Sequence, residues 1–114
     1  MIPHGVEIFV GLDPIDLRWS FDRLAGEVGE RIGQEARCGA LFVFFGKRRD
    51  AIKVLFFDGS GMCVLYKRLD RGTFRLPEAE GGAASVAIEE RALDDLLDGI
   101  DVEVKKRTKP ALPH

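Results

Sequence analysis

Three short apolar runs, residues 41–45, 51–57 and 62–68, follow one another with only turn-forming loops between them. Such a block folds as an antiparallel meander of three strands. GKRRD, residues 46–50, is a five-residue loop, and Asp58-Gly59-Ser60-Gly61 supplies the left-handed positions that a tight hairpin demands. A fourth strand is expected near Thr73 to Leu76, after Asp70-Arg71-Gly72. In the second run Ile52, Val54 and Phe56 alternate with Lys53, Leu55 and Phe57, so both faces of the sheet are largely apolar. Each face therefore needs a cover, from the helices, the N-terminal strand region or a second subunit.

The flanks suggest those covers. Val6, Ile8 and Val10 alternate in a short strand ended by Gly11. Asp13-Pro14-Ile15-Asp16 has the composition of a helix start, with Asp13 as cap and Pro14 in the first turn. Leu17, Phe21, Leu24, Val28 and Ile32 then form one helical stripe, which predicts a helix that ends before Gly39. Gly26 and Gly29 weaken it by up to about 1 kcal/mol each, so packing must hold it. Residues 77–85 read as a polar connection and Val86 to Ile88 as a short strand or the beginning of a helix. Glu89 to Asp98 predicts a short acidic helix with Leu93, Leu96 and Leu97 inward, stopped by Gly99. The expected fold is α+β, a central antiparallel β-meander with a longer N-terminal helix and a short C-terminal helix. One domain over residues 1–104 is expected, with residues 105–114 as a flexible basic tail.

Charge is segregated along this chain. Residues 46–75 carry eight basic side chains against three acidic ones, although the protein's net charge is −2. Residues 76–104 are strongly acidic, with one basic and nine acidic side chains. A gathered positive segment presented on hairpins suits phosphate, because guanidinium groups bond oxyanions bidentately. Lys47, Arg48, Arg49, Lys53, Lys67, Arg68 and Arg71 are the candidate nucleic-acid contacts. Charged turns also keep sheet edges from aggregating, and charge alone does not separate the two roles. Trp19 stands off the apolar stripe, either as an anchor for a partner or as core at the helix start.

Other chemistries find little support. The two histidines, His4 and His114, lie at the ends, and the two cysteines, Cys38 and Cys63, show no metal-ligand or disulfide pattern. No metal or other cofactor is expected. Gly59-Ser60-Gly61 precedes a strand instead of a helix, which disfavours a phosphate-binding loop. Asp16, Asp22, Asp50 and Asp58 would have to converge to serve a metal-dependent nuclease. No apolar run approaches the roughly 20 residues of a membrane-spanning helix, and the N-terminus lacks the features of a signal peptide, so the expected compartment is the cytoplasm.

Several spaced motifs point further. Asp16-Leu17-Arg18, Phe21-Asp22, Leu24-Ala25, LFVFFGKRRD, AIKVLFFDGSG, CVLYKRLDRGTF and the closing Leu96-Leu97-Asp98-Gly99-Ile100-Asp101 span residues 5–101. This series resembles the second-open-reading-frame (TnpB) accessory proteins of insertion-sequence-sixty-six-type bacterial transposable elements. The resemblance implies a small non-catalytic factor of DNA transposition, encoded beside a separate large transposase that carries the acidic catalytic residues. It implies element DNA and that transposase as partners, and a homo-oligomer is a further expectation. The family's basic motif falls on the seven cations named above, and Arg18 and Asp58 fall in its other recurrent motifs. Arg18, with Trp19, is the candidate partner contact. The chain departs from the family pattern at Phe57, where a tryptophan is common, and at Arg23, where a glycine is common. The competing role is a protein-interaction adaptor that oligomerises or docks the transposase, with the acidic segment Glu78 to Glu103 as docking surface, without touching DNA.

Overall fold

The computed structural model describes residues 5–77 and 81–98. Strands β1 (Ile8–Gly11), β2 (Leu41–Phe45), β3 (Ala51–Phe57), β4 (Met62–Arg68) and β5 (Ser85–Ile88) form one sheet in the order β4-β3-β2-β1-β5. Helix α1 spans Phe21–Glu27 and runs into a π-helical turn at Val28–Ile32, and α2 spans Glu90–Leu97. The three central runs pair antiparallel, with Val43 opposite Val54 and Val54 opposite Leu65. Beyond them β1 lies parallel to β2, and β5 lies antiparallel to β1. The sheet is therefore mixed, which corrects the expectation of an antiparallel one. The parallel pair is closed by the segment holding α1, since parallel neighbours need a crossover connection.

The longer N-terminal helix is also corrected. The amide of Ile15 donates to the carbonyl of Phe45 at 2.8 Å, and Ile15 bridges in parallel to Gly46. That extended pairing takes Asp13-Pro14 out of any helix. Asp16 instead closes a local turn, accepting from the Arg18 amide at 2.9 Å while its carbonyl accepts from Trp19. Helical winding begins only after Ser20 and ends at Gly33, whose φ of 75° suits a residue without a side chain. Thr73 to Leu76 forms no strand. Phe74 is instead drawn into the core, with its ring edge-on to Phe45 at 6.1 Å, and Leu76 packs partly buried against the same cluster.

Strand alternation divides the interior into two layers. On one face Leu24 and Val28 of the α1 region pack with Ile15, Phe42, Phe44 and Leu55. On the other, Leu93 and Leu96 of α2 join Phe74 over Val43, Phe45, Val54 and Phe56. β2 touches both layers and is buried at all five positions, as its unbroken apolar sequence requires. The single chain thus covers both sheet faces, and the requirement for a second subunit as cover falls away. The expected tail, the stop at Gly99 and the two ends of the acidic segment lie outside the described residues.

Candidate nucleic-acid interface

The first basic loop is the β2–β3 connection. Gly46 opens it because Leu17 packs directly against its Cα: a Cβ there would stand 2.6 Å from Leu17 Cδ1. The Arg49 amide then donates to the Gly46 carbonyl at 3.0 Å, and Arg49 takes φ of 61°, a left-handed conformation uncommon for arginine. The second basic loop, residues 69–75, follows β4 and is tied to the first through the backbone. The Leu69 amide donates to the Asp50 carbonyl at 2.8 Å, and the Phe74 amide to the Arg49 carbonyl at 2.6 Å. Phe74, only 1% exposed, anchors this loop in the core.

These bonds gather Lys47, Arg48, Arg49, Arg71 and Arg75 at one end of the sheet. All five are exposed, and their side chains have no hydrogen-bond or ionic partner among the described residues. Arg75 was not among the expected contacts, although it shares the loop with Arg71. Lys47, Arg48 and Arg68 border a depression of about 680 Å³ that also admits Asp16 and Asp50. Arg68 further donates through Nη2 to the Tyr66 hydroxyl at 3.2 Å. Tyr66, half exposed, escaped the reading of the sequence, and its only signal was its position two residues before Arg68 on one strand face.

Lys53 and Lys67 are placed differently. Lys53 is 8% exposed, donates from Nζ to the Trp19 carbonyl at 2.7 Å, and lies over the Tyr66 ring at 4.9 Å. Lys67 points to the opposite face and donates to the Leu97 carbonyl at 2.6 Å. Leu97 ends α2, where carbonyls lack helical partners and the dipole favours a cation.

Arg18 is exposed but held by Asp16, with Nη2 to Oδ2 at 2.7 Å and Nε to Oδ1 at 3.0 Å. The Arg18 guanidinium, followed by its backbone amide, lowers the Asp16 pKa to about 2. Trp19 is half-buried, with the Arg23 guanidinium 4.0 Å from its ring centroid and that of Arg31 at 5.8 Å. Glu27, itself buried, pairs with both arginines and so fixes them beside the indole.

The hairpin between β3 and β4 lies at the other end of the strands. Asp58 accepts from the amides of Ser60 at 2.9 Å and Gly61 at 3.0 Å, and these bonds hold its carboxyl below the ordinary range. Gly59 alone in this turn has a left-handed φ, 104°. Partial burial, then the nearby Asp58 charge, pushes the Cys63 thiol up, so it is a poor nucleophile at neutral pH. Asp16 and Asp50 share the depression while Asp58 sits in the distant turn. Among the described residues no three His, Cys, Asp or Glu side chains gather as a metal site requires, and no helix is long and apolar enough to cross a membrane.

The same motifs place the chain among known proteins. Two proteins of Sinorhizobium fredii are similar along almost their whole length. The protein y4hO is 43% identical over 103 residues, which covers 89% of this chain and 88% of the relative. The protein y4jC is 36% identical over 104 residues, covering 91% and 87%. No solved structure matches the chain. A family model described as IS66 Orf2 like protein matches residues 6–107, a span that takes in the whole sheet, both helices and both basic loops, and the chain belongs to that family.

Proposed function

We propose that this protein is a non-catalytic accessory factor of transposition that acts in the cytoplasm. It contacts element DNA, or the transposase–DNA complex, through the two joined basic loops. The observation that carries the reading is the set of unpartnered cations Lys47, Arg48, Arg49 and Arg71 on loops bonded to each other and anchored by Phe74. A rigid backbone that presents free ammonium and guanidinium groups gains affinity for phosphate without first breaking internal ion pairs. Membership of the IS66 Orf2-like family supplies the context of an insertion sequence and its transposase. Arg68 belongs to the same surface, whereas Lys53 and Lys67 serve the fold.

Fluorescence anisotropy with duplex DNA from the element's ends, over a salt series, tests this reading. Binding should weaken steeply with salt, and the combined substitution Lys47→Ala, Arg48→Ala and Arg71→Ala should flatten the log–log slope by about 0.9 for each phosphate that is no longer neutralised. Absence of binding at low salt, or an unchanged slope in the triple variant, would overturn direct contact.

One observation favours a second reading, in which the protein docks the transposase as an adaptor. Helix α2 turns Asp94 toward solvent, with Glu89 and Asp98 exposed at its two ends, an acidic surface on the sheet face opposite α1. Co-purification with the large transposase that survives nuclease treatment would support this role, and failure to associate in any proportion would remove it.

A further inference from the structure

The depression at the basic end is built unlike a rail for duplex phosphates. A duplex backbone needs only accessible cations, and the exposed Lys47, Arg48, Arg49 and Arg71 supply those without a cavity. The depression has an apolar part, from Pro14, Ile15 and Leu17, and it contains the Asp50 carboxylate. That carboxylate has no hydrogen-bond or ionic partner among the described residues. Placed among phosphate-seeking cations it would only repel a passing backbone. It becomes useful when the ligand brings N–H donors together with its phosphate.

A nucleotide brings everything this depression can use. Its phosphate suits Lys47, Arg48 and Arg68, its flat ring suits Ile15 and Leu17, and the amino group of cytosine, adenine or guanine suits Asp50. The volume of about 680 Å³ falls within the range of about 300–1,000 Å³ usual for small-ligand sites. A base inside a duplex stack cannot present its ring and pairing edge to such a site, so the base must be unpaired.

Tyr66 is an independent sign of the same ligand. It is 50% exposed, and among the described strand residues it is the exposed large hydrophobic side chain. It lies on the same face of β4 as Arg68, which bonds its hydroxyl at 3.2 Å, and the Lys53 ammonium sits over its ring. Arg68 thus connects the ring to the depression. An oriented, exposed aromatic beside a cationic track is the platform on which unpaired bases stack.

We propose that this end of the sheet, on its α1 side, binds an unpaired stretch of nucleic-acid strand. One nucleotide sits in the depression with its amino group at Asp50, the neighbouring base stacks on Tyr66, and Arg68 meets the phosphate between them. The inference rests on the reading that the basic end binds nucleic acid, and it adds which form of nucleic acid is preferred.

Anisotropy with the full chain, at one salt concentration, compares a short oligodeoxycytidylate, an oligothymidylate of equal length and a duplex. Cytidylate should bind tightest. Tyr66→Ala should weaken both single strands roughly tenfold and spare the duplex, while Tyr66→Phe keeps the affinity. Asp50→Ala should weaken cytidylate about tenfold and leave thymidylate equal or tighter. A merely cationic surface gives the opposite sign, because loss of a negative charge then strengthens every nucleic acid. Tightening of both single strands by Asp50→Ala, or an equal effect of Tyr66→Ala on duplex and single strands, would overturn the inference. Duplex binding without preference for single strands would overturn it while sparing the proposed function, and loss of all binding would remove both.

Discussion

Lys53 and Lys67 end on backbone carbonyls, whereas Lys47, Arg48, Arg49 and Arg71 end in solvent, although all six belong to one basic stretch of sequence. The difference follows from the elements that carry them. A side chain on a strand is aimed at one face of the sheet, and here both faces have covers. Lys53 is directed to the α1 face, where the turn before that helix leaves the Trp19 carbonyl outside any ladder. Lys67 is directed to the α2 face, where the last turn of α2 offers the Leu97 carbonyl. The loop cations project past both covers and meet neither. Local positive charge in a sequence therefore divides into cations that complete the fold and cations that remain for a ligand.

That division can be broken by substitution, and the largest effect is expected at Lys53. Lys53→Ala removes a charge-assisted bond, strands the Trp19 carbonyl and leaves a void where the buried stem lay, a loss of about 3 kcal/mol. In urea denaturation the midpoint should fall with an unchanged slope. A loss no larger than that of an exposed loop substitution, within roughly 0.5 kcal/mol, would mean that Lys53 is no more structural than Arg48. Lys67 is less buried and serves one helix end, so Lys67→Ala should cost about 1 kcal/mol. Hydrogen exchange sharpens this case, because the loss should appear first as faster exchange in α2 and not in α1.

The sequence made some of this arrangement legible and hid the rest for definable reasons. Strands β2, β3 and β4 stand where the apolar runs place them, because Gly46 and the Asp58–Gly61 turn leave little freedom of register. The stripe from Leu17 to Ile32 has helical spacing, but spacing cannot reveal that the Ile15 amide finds the Phe45 carbonyl. A non-local hydrogen bond outcompeted the local helix start. The parallel pairing of β1 with β2 was hidden in the same way, since it joins segments separated by the whole α1 region. The strand expected near Thr73 to Leu76, after Asp70-Arg71-Gly72, is replaced by a loop whose Phe74 ring is buried against Phe45 while its amide bonds the Arg49 carbonyl, a second non-local contact. The loop cations were legible as a cluster. Which cations the fold would consume was not, because alternation gives the side a residue faces and says nothing about the carbonyl that waits there.

Arg18 is the intermediate case, a cation outside the strands that nonetheless has a partner, and it yields the smallest expected effect. The ordinary aspartate value is 3.8, and Asp16 is lowered to about 2 by Arg18. A carboxyl whose folded value lies below its unfolded one adds stability above the unfolded value, and that contribution fades as the pH falls toward the folded value. The window for Asp16 therefore runs from about pH 4 down to about pH 2. The Arg18 side chain is 90% exposed, so water and salt screen the pair and its share of stability is small. The sensitive measurement is the titration of the Asp16 carboxyl by NMR, with its midpoint expected near 2 in the native chain and moved up toward 3.8 in Arg18→Ala. Should Asp16 titrate at its ordinary value in the native chain, Arg18 is as free as Lys47 and Arg48, and the unpartnered cations at this end of the sheet would include it.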